Sequence, residues 1–295
     1  MIHLLKKIKN KVANFSSKGE DDKIILRDDQ NRVLTARKLE KKTASVLFYT
    51  THKCASTFMS KLLIKLSSKI EYDFNDYANA IWDLGDNIAI GQGNKGYLLR
   101  FLEKNYDRLF YQKGEIYGPL RFPVNFPNRQ AFKHIFFLRD PRDVIVSSYY
   151  SFGFSHPLPT NNMRKKNFLS LREEIQKKGI DQHALDFADE LITRYNGFRH
   201  LRETCDGYIY LRYDEFANDT RNFILNLAKY LNVELQKQEL DMLCKEAAPI
   251  QENIKDDKHK RSGKSRQFIS ELKPETQAIL NDKFRDTLKY WEFED

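Results

Sequence analysis

The sequence predicts an α/β domain built on a mainly parallel β-sheet with helices on both faces. Three observations predict it. The runs SVLFYTT (45–51), HIFFL (134–138) and YIYLR (208–212) have the length and the β-branched or aromatic content of buried strands. Helical patterns, not hairpin turns, separate them, so the connections are crossovers between parallel strands. A helix-start signal, Asp140-Pro141, stands directly after HIFFL-Arg139: Asp fits the N-cap and Pro the first helical position.

The remaining elements follow in order. Residues 1–42 are polar and charge-rich and read as a peripheral basic extension, with the α/β domain over 43–295. The strand at 45–51 runs into a helix from about Ser56 to Ser68, whose Phe58, Met59, Leu62, Leu63 and Leu66 share one face. Residues 71–112 are aromatic-rich and irregular, with Gly85, Gly91, Gly93 and Gly96 as breakers. Gly114–Leu120 reads as a short strand before the turn RFPVNFP. The helix opened by Asp140-Pro141 carries Val144, Ile145, Ser148 and Tyr149 on one side. A loop (Ser151–Asn162), a long helix (about 181–203), helices near 219–231 and 236–247, a polar stretch (256–266) and a last helix from Pro274 complete the chain. Ligands of such sheets bind beyond the carboxyl ends of the strands.

Composition narrows the class. With 41% hydrophobic and 13% aromatic residues the chain can bury a core, which excludes general disorder. The net charge of +9 suggests an anionic partner. Only short basic runs occur, at 37–42 and 258–266, so a nucleic-acid surface is not expected. Cys54, Cys205 and Cys244 are odd in number and far apart; that argues against a disulfide framework or a zinc site and for a reducing, cytoplasmic compartment. No run reaches the roughly 18 apolar residues of a membrane span. The N-terminal MIHLLKKIKNKVANF is too short and too interrupted by lysine for a signal peptide. It reads either as a basic amphipathic helix in peripheral contact with anionic lipid or as a frayed surface helix.

The stretch THKCASTF (51–58) lies between a strand and a helix, the layout of an anion-binding loop. Cys54 and Ala55 are small enough for close backbone approach, Ser56 and Thr57 add hydroxyls, and Lys53 is a mobile positive charge. The Walker pattern G-x-x-x-x-G-K-[ST] fails here, because the loop has no glycine and Lys53 stands three residues before Ser56. Magnesium-assisted phosphoryl transfer is therefore not supported, and no metal-ligand cluster is expected. Cys54, at a helix N-terminus beside a lysine, reads either as a low-pKa thiol or as a small residue filling a tight turn.

With the second stretch, HIFFLRDPRDVIVSSYYSF (134–152), the sequence resembles the PAPS-dependent sulfotransferases, which use 3′-phosphoadenosine 5′-phosphosulfate (PAPS) and release PAP. Their 3′-phosphate motif, R-[ND]-P-[RK]-D-V-x-x-S-x-Y, is matched by Arg139, Asp140, Pro141, Arg142, Asp143, Val144, Ser147 and Tyr149. Their 5′-phosphosulfate loop, P-K-[SG]-G-T-T-[WL], is matched more loosely by His52, Lys53, Cys54, Ala55, Ser56, Thr57 and Phe58. The resemblance implies a single P-loop-NTPase-like domain and a metal-independent, in-line transfer of a sulfuryl group to a hydroxyl or amine. It implies that Arg139 and Ser147 grip the 3′-phosphate and that Lys53 and its loop hold the 5′ side. Asp143 and Arg142 read instead as a helix-start acid and an ion pair between loops or at the surface. YLRYDEF (210–216) resembles the family's L-x-Y-E-D-[LMF] and implies Tyr213 near the adenine. KHKRSGKSRQF (258–268) resembles its R-K-G-x-x-G-x-W loop, with Arg261, Ser262 and Gly263 at the first three positions and Phe268 for the tryptophan, but without the second glycine.

A general base is also needed. Cytosolic members carry a histidine in K-T-H-[LF]-P; the similar stretch here, GPLRFP, has Arg121 in its place. Other members use a glutamate roughly 20 residues past the lysine, where this chain offers Glu71, Asp73 and Asp76. Asp76 is the first candidate, with His52 and His156 behind it. Arg121 reads as a group that binds an acidic acceptor or balances the transferring group. The acceptor class stays open among small molecule, lipid, carbohydrate and peptide. A P-loop small-molecule kinase and a non-enzymatic anion- or membrane-surface module are the competing readings.

Overall fold

The computed structural model describes residues 25–27, 33–35, 43–70, 72–76, 103, 106–158, 162–247 and 264–294. Near the N-terminus, β1 (Ile25–Arg27) pairs antiparallel with β2 (Val33–Thr35). The domain itself is organised by β3 (Val46–Thr50), β4 (Asp73–Asp76), β5 (Glu115–Leu120), β6 (Lys133–Leu138) and β7 (Tyr208–Arg212). They form one sheet in the order β4-β5-β3-β6-β7, and every neighbouring pair is parallel. The chain fills one side of β3 with β4 and β5 and then crosses to the other side for β6 and β7. The order therefore reverses at β3, which is where a crevice opens at the carboxyl ends of the strands.

Alternation along each strand divides the core between the two faces. Leu47, Tyr49, Phe136 and Leu138 point to one side. There they meet α3 (Pro141–Tyr150), α4 (Asn162–Glu203) and α9 (Pro274–Tyr290) through residues such as Val144, Ala188 and Phe284. Val46, Phe48, Ile135 and Phe137 point to the other side. They pack on α1 (Ser56–Ser67), α6 (Thr220–Leu231) and α7 (Lys237–Ala247) through Met59, Ile224 and Leu240. Strands buried on both faces need the continuous apolar sequence that β3 and β6 display, whereas YIYLR, expected to be a buried strand, forms the sheet edge as β7 and is only partly buried.

Two elements differ from the sequence reading. Asp73–Asp76 (DFND) is a strand within the stretch expected to be irregular. It is a short edge strand, and it is held by its register with Glu115–Gly118 and by Asn75, which donates to buried Glu115 Oε2 at 2.7 Å. The long helix begins at Asn162, not near 181, so it starts where the expected loop ends and takes in the stretch before 181. It bends at Gly179, whose φ of 73° only glycine adopts without strain. The arm before the bend is mostly exposed and carries pairs such as Lys178–Glu174 at 2.8 Å, so no apolar periodicity marks it in the sequence. Before that arm, Ser151–Ser155 continues α3 as a π-turn.

Gly197 shows how closely α4 rides on the rest. A Cβ there would lie 2.4 Å from Cγ of Pro123. Gly→Ala in a helix interior ordinarily gains about 1 kcal/mol. Here Gly197→Ala is expected instead to lose about 1–3 kcal/mol in urea unfolding, the usual cost of overpacking; a gain would show that Pro123 moves aside freely.

Candidate active site

Each of the five parallel strands delivers a candidate residue at its carboxyl end. Asp76 ends β4, Arg121 follows β5, the 51–55 loop follows β3, Arg139 follows β6 and Tyr213 follows β7. In the β6–β7 register Leu138 lies opposite Arg212, so the next residues, Arg139 and Tyr213, are neighbours. The guanidinium of Arg139 sits 4.2 Å from the centre of the Tyr213 ring. Tyr213 is thus a buried residue that opens the short helix α5 (Tyr213–Asn218).

The loop reaches its shape without glycine. Lys53 has φ 65° and Ala55 φ 44°, both left-handed. Ala55 occupies the position that is glycine in the motif this loop resembles, and it serves as N-cap of α1 without a capping side chain. The same holds in the C-terminal segment: Arg266, where the related pattern has its second glycine, has φ 63°. A side chain in this region costs about 1 kcal/mol relative to glycine. Around Ala55 the loop is pinned by its neighbours. Cys54 is fully buried, with Sγ 3.3 Å from the carbonyl of Phe137. Burial pushes its thiol up to about 12, against smaller opposing effects of Thr50 and Arg139. The low-pKa reading of Cys54 is therefore overturned: the helix N-terminus does not offset desolvation there. Phe58 stacks on Phe216 at 4.9 Å and belongs to the hydrophobic packing, while Ser56 is buried and Thr57 exposed.

Arg139 is the hub of the site. It is 4% exposed and donates to the carbonyls of Lys53 (3.1 Å) and Lys264 (3.0 Å), and it pairs with Asp143 at 3.6 Å. Its Nε is buried without a partner. Asp143 in turn accepts from the main-chain N–H of Arg266 (2.7 Å) and of Phe268 (3.2 Å). Arg142 donates to both Asp140 oxygens, to Asn281 Oδ1 (2.7 Å) and to the Phe293 carbonyl (3.1 Å), and its guanidinium lies 4.0 Å from the Phe268 ring centre. Both residues tie the C-terminal segment to the start of α3. Both are buried, so the surface alternative does not hold. Asp140 caps α3 by accepting from Arg142 N–H at 2.9 Å. Ser147 lies two turns along that helix and is partly exposed. Arg261, Ser262 and Gly263 lie outside the described residues, as does Glu71.

Positive charge is crowded on the β5 side of the loop as well. Lys53 is drawn down to about 8, by burial first and then by Arg139 and Arg121. His52 is held well below the ordinary histidine range by burial and by the charges of Arg121, Arg194, Lys53 and His156. Arg121 is lowered by burial and by Arg194, with Asp76 pulling the other way. Asp76 is thus close enough to act on Arg121, while His156 engages the Pro157 carbonyl through Nδ1 at 3.0 Å. No motif or spacing marks Arg194 in the sequence. It lies in α4, 6% exposed, paired with Glu190 at 2.6 Å and stacked on Phe122 at 4.7 Å. Only the packing of α4 over the β5 end brings it to the loop.

A family model, the Sulfotransferase domain, matches residues 121–292. The chain belongs to the sulfotransferase family. The match begins at Arg121 and takes in Arg139, Ser147 and Tyr213; the Lys53 loop precedes it. Among curated proteins the chain is similar to Sulfotransferase 2A6 of Rattus norvegicus (29% identity over 144 residues, 48% of this chain and 47% of the relative). It is also similar to a 3-beta-hydroxysteroid sulfotransferase of Cavia porcellus (26% over 172 residues, 56% and 51%). These matches span about half the length of the curated relatives. Among solved structures, mouse sulfotransferase SULT7A1 complexed with PAP aligns over 83% of this chain and 84% of its own, with 13% identity and a TM-score of 0.48.

The left-handed residues give a direct test. Ala55→Gly and Arg266→Gly are each expected to raise the unfolding free energy by about 0.5–1 kcal/mol, measured by urea denaturation. A loss in either would mean that the side chain there contributes more than its backbone strain costs.

Proposed function

We propose that this protein is a PAPS-dependent sulfotransferase that moves a sulfuryl group to a hydroxyl or amine of an acceptor. The observation that carries the reading is the convergence of Lys53 and Arg139 on one loop at the reversal point of the sheet. Arg139, buried with an orphaned Nε and set beside a lysine whose proton affinity it lowers, suits a polyanion. The donor set fits a nucleotide with phosphates at both ends. Arg139, with Ser147 farther along α3, is read as the 3′-phosphate clamp, and Tyr213, against Arg139, as a flank of the base. The N–H groups at the start of α1, with Ser56, Thr57 and Lys53, are read as the holders of the 5′ end. Bound there, PAPS supplies the sulfuryl group: its bond to the phosphate oxygen breaks as a bond to the acceptor oxygen or nitrogen forms. Lys53 and the α1 N-terminus offset the charge left on that phosphate, an effect typically of about 3 kcal/mol per donor.

The proton of the acceptor needs a base. His52 is neutral at pH 7, because its environment disfavours the cation. Phosphates bound beside it would raise its proton affinity, which makes it a better acceptor when the donor is in place. It is read as the base, with Asp76 as the alternative. The acceptor class is open among small molecules, lipids, carbohydrates and peptides; the Cavia porcellus relative is named for a steroid. A cytoplasmic location rests on three free cysteines; among the described residues no helix is long and apolar enough to cross a membrane. Membrane contact by the N-terminal stretch falls outside the described residues.

Calorimetry tests the reading. In EDTA, PAP is expected to bind at least tenfold more tightly than ADP, which lacks the 3′-phosphate. Lys53→Met is expected to weaken PAP roughly 10- to 100-fold, the value of one charge-assisted hydrogen bond. Equal affinities for PAP and ADP, or a requirement for magnesium, would favour the kinase reading.

A further inference from the structure

The sheet order separates two groups of cations. Arg139 and Tyr213 follow β6 and β7, on one side of β3. Arg121 follows β5, on the other side, and meets the loop from there. Its Nη2 donates to Ser56 Oγ at 3.3 Å, a long bond for a guanidinium. Its Nε is buried with no hydrogen-bond partner. A guanidinium carries five donors in a fixed fork; with its Nε buried and unpaired and one long bond among the described residues, Arg121 is placed to take a further acceptor. Asp76 acts on Arg121 through its charge, and Arg194 adds a second positive charge from α4. Arg194 is itself buried and partly neutralised by Glu190, so it lends charge to the site from behind Arg121.

We propose that Arg121, anchored by its bond to Ser56 and with Arg194 behind it, forms a second oxyanion subsite on the β5 side of the loop, beyond the Lys53–Arg139 side that takes the nucleotide phosphates. Its ligand is a tetrahedral or planar oxyanion of the sulfonate, phosphate or carboxylate type. Two sources have that chemistry: the sulfuryl group of the donor, and an acidic group on the acceptor. The subsite rests on the sulfotransferase reading, because it is defined by what lies beyond the nucleotide.

The experiment compares PAPS, PAP and benzoate by calorimetry on the wild type, Arg121→Gln and Arg121→Lys. Arg121→Gln is expected to keep PAP affinity within about threefold, which also shows that the variant is folded. If the subsite takes the sulfuryl group, PAPS weakens at least tenfold in Arg121→Gln while PAP does not. If it takes an acidic acceptor, the two nucleotides stay in proportion. The PAP-saturated wild type then binds benzoate in preference to benzamide, and Arg121→Gln loses that preference. In either case Arg121→Lys, with the charge but not the fork, falls between. An unchanged PAPS-to-PAP ratio together with unchanged benzoate binding overturns the subsite, and so does an equal loss of PAPS and PAP. Failure of PAP to bind the wild type is a different result: it rejects the sulfotransferase reading and the subsite with it.

Discussion

Positive charge gathered at one point of the sheet is the constraint on which the rest of this site depends. Lys53, Arg121, Arg139 and Arg194 come from four different segments and meet where the strand order reverses. Each is partly or wholly withdrawn from water, and each raises the cost of keeping its neighbours charged. The fold tolerates this because the hydrophobic core on both faces of the sheet fixes the strand ends. The charges are then set by register, as Arg139 is set beside Tyr213. An anion converts the mutual repulsion into attraction, so the energy stored against the fold becomes affinity.

The braces around the charges have two functions. Arg139 bonds the carbonyls of both Lys53 and Lys264, so one side chain links the anion loop to the C-terminal segment. Asp143 and Arg142 complete that link by holding the main chain at Arg266 and Phe268 and the carbonyl of Phe293. In this frame the loop and the returning segment adopt left-handed residues at Lys53, Ala55 and Arg266. Glycine is replaced there, at a local cost of about 1 kcal/mol each, because neighbouring contacts fix the backbone.

Much of this was legible in the sequence where burial is complete. β3 and β6 are continuous apolar runs because both faces are covered, and Asp140-Pro141 marks a helix start by local chemistry alone. The loop at Lys53 and the place of Arg139 at the end of β6 were legible because their residue types and spacing resemble a family motif. β4 was not legible: its four residues, DFND, are polar and draw their conformation from pairing with β5. The early start of α4 was hidden by an exposed arm and a bend at Gly179. Arg194 was hidden because it is one charge among many on a long helix, and only tertiary packing gives it a role. Cys54 was misleading, since a helix N-terminus suggests a thiolate and burial decides otherwise.

The most direct measurement of the central claim is the number of protons taken up when PAP binds at pH 8.5, from calorimetry in buffers of different ionisation enthalpy. In the free protein Lys53 titrates at about 8, below its ordinary value, so at this pH it is largely neutral. A phosphate beside it restores the cation, and binding is expected to take up about 0.7 proton, with affinity falling as the pH rises above 8. Lys53→Met should abolish the uptake. Binding without proton uptake, or uptake that survives in Lys53→Met, would contradict the account, because the crowded charge would then not be what the anion relieves.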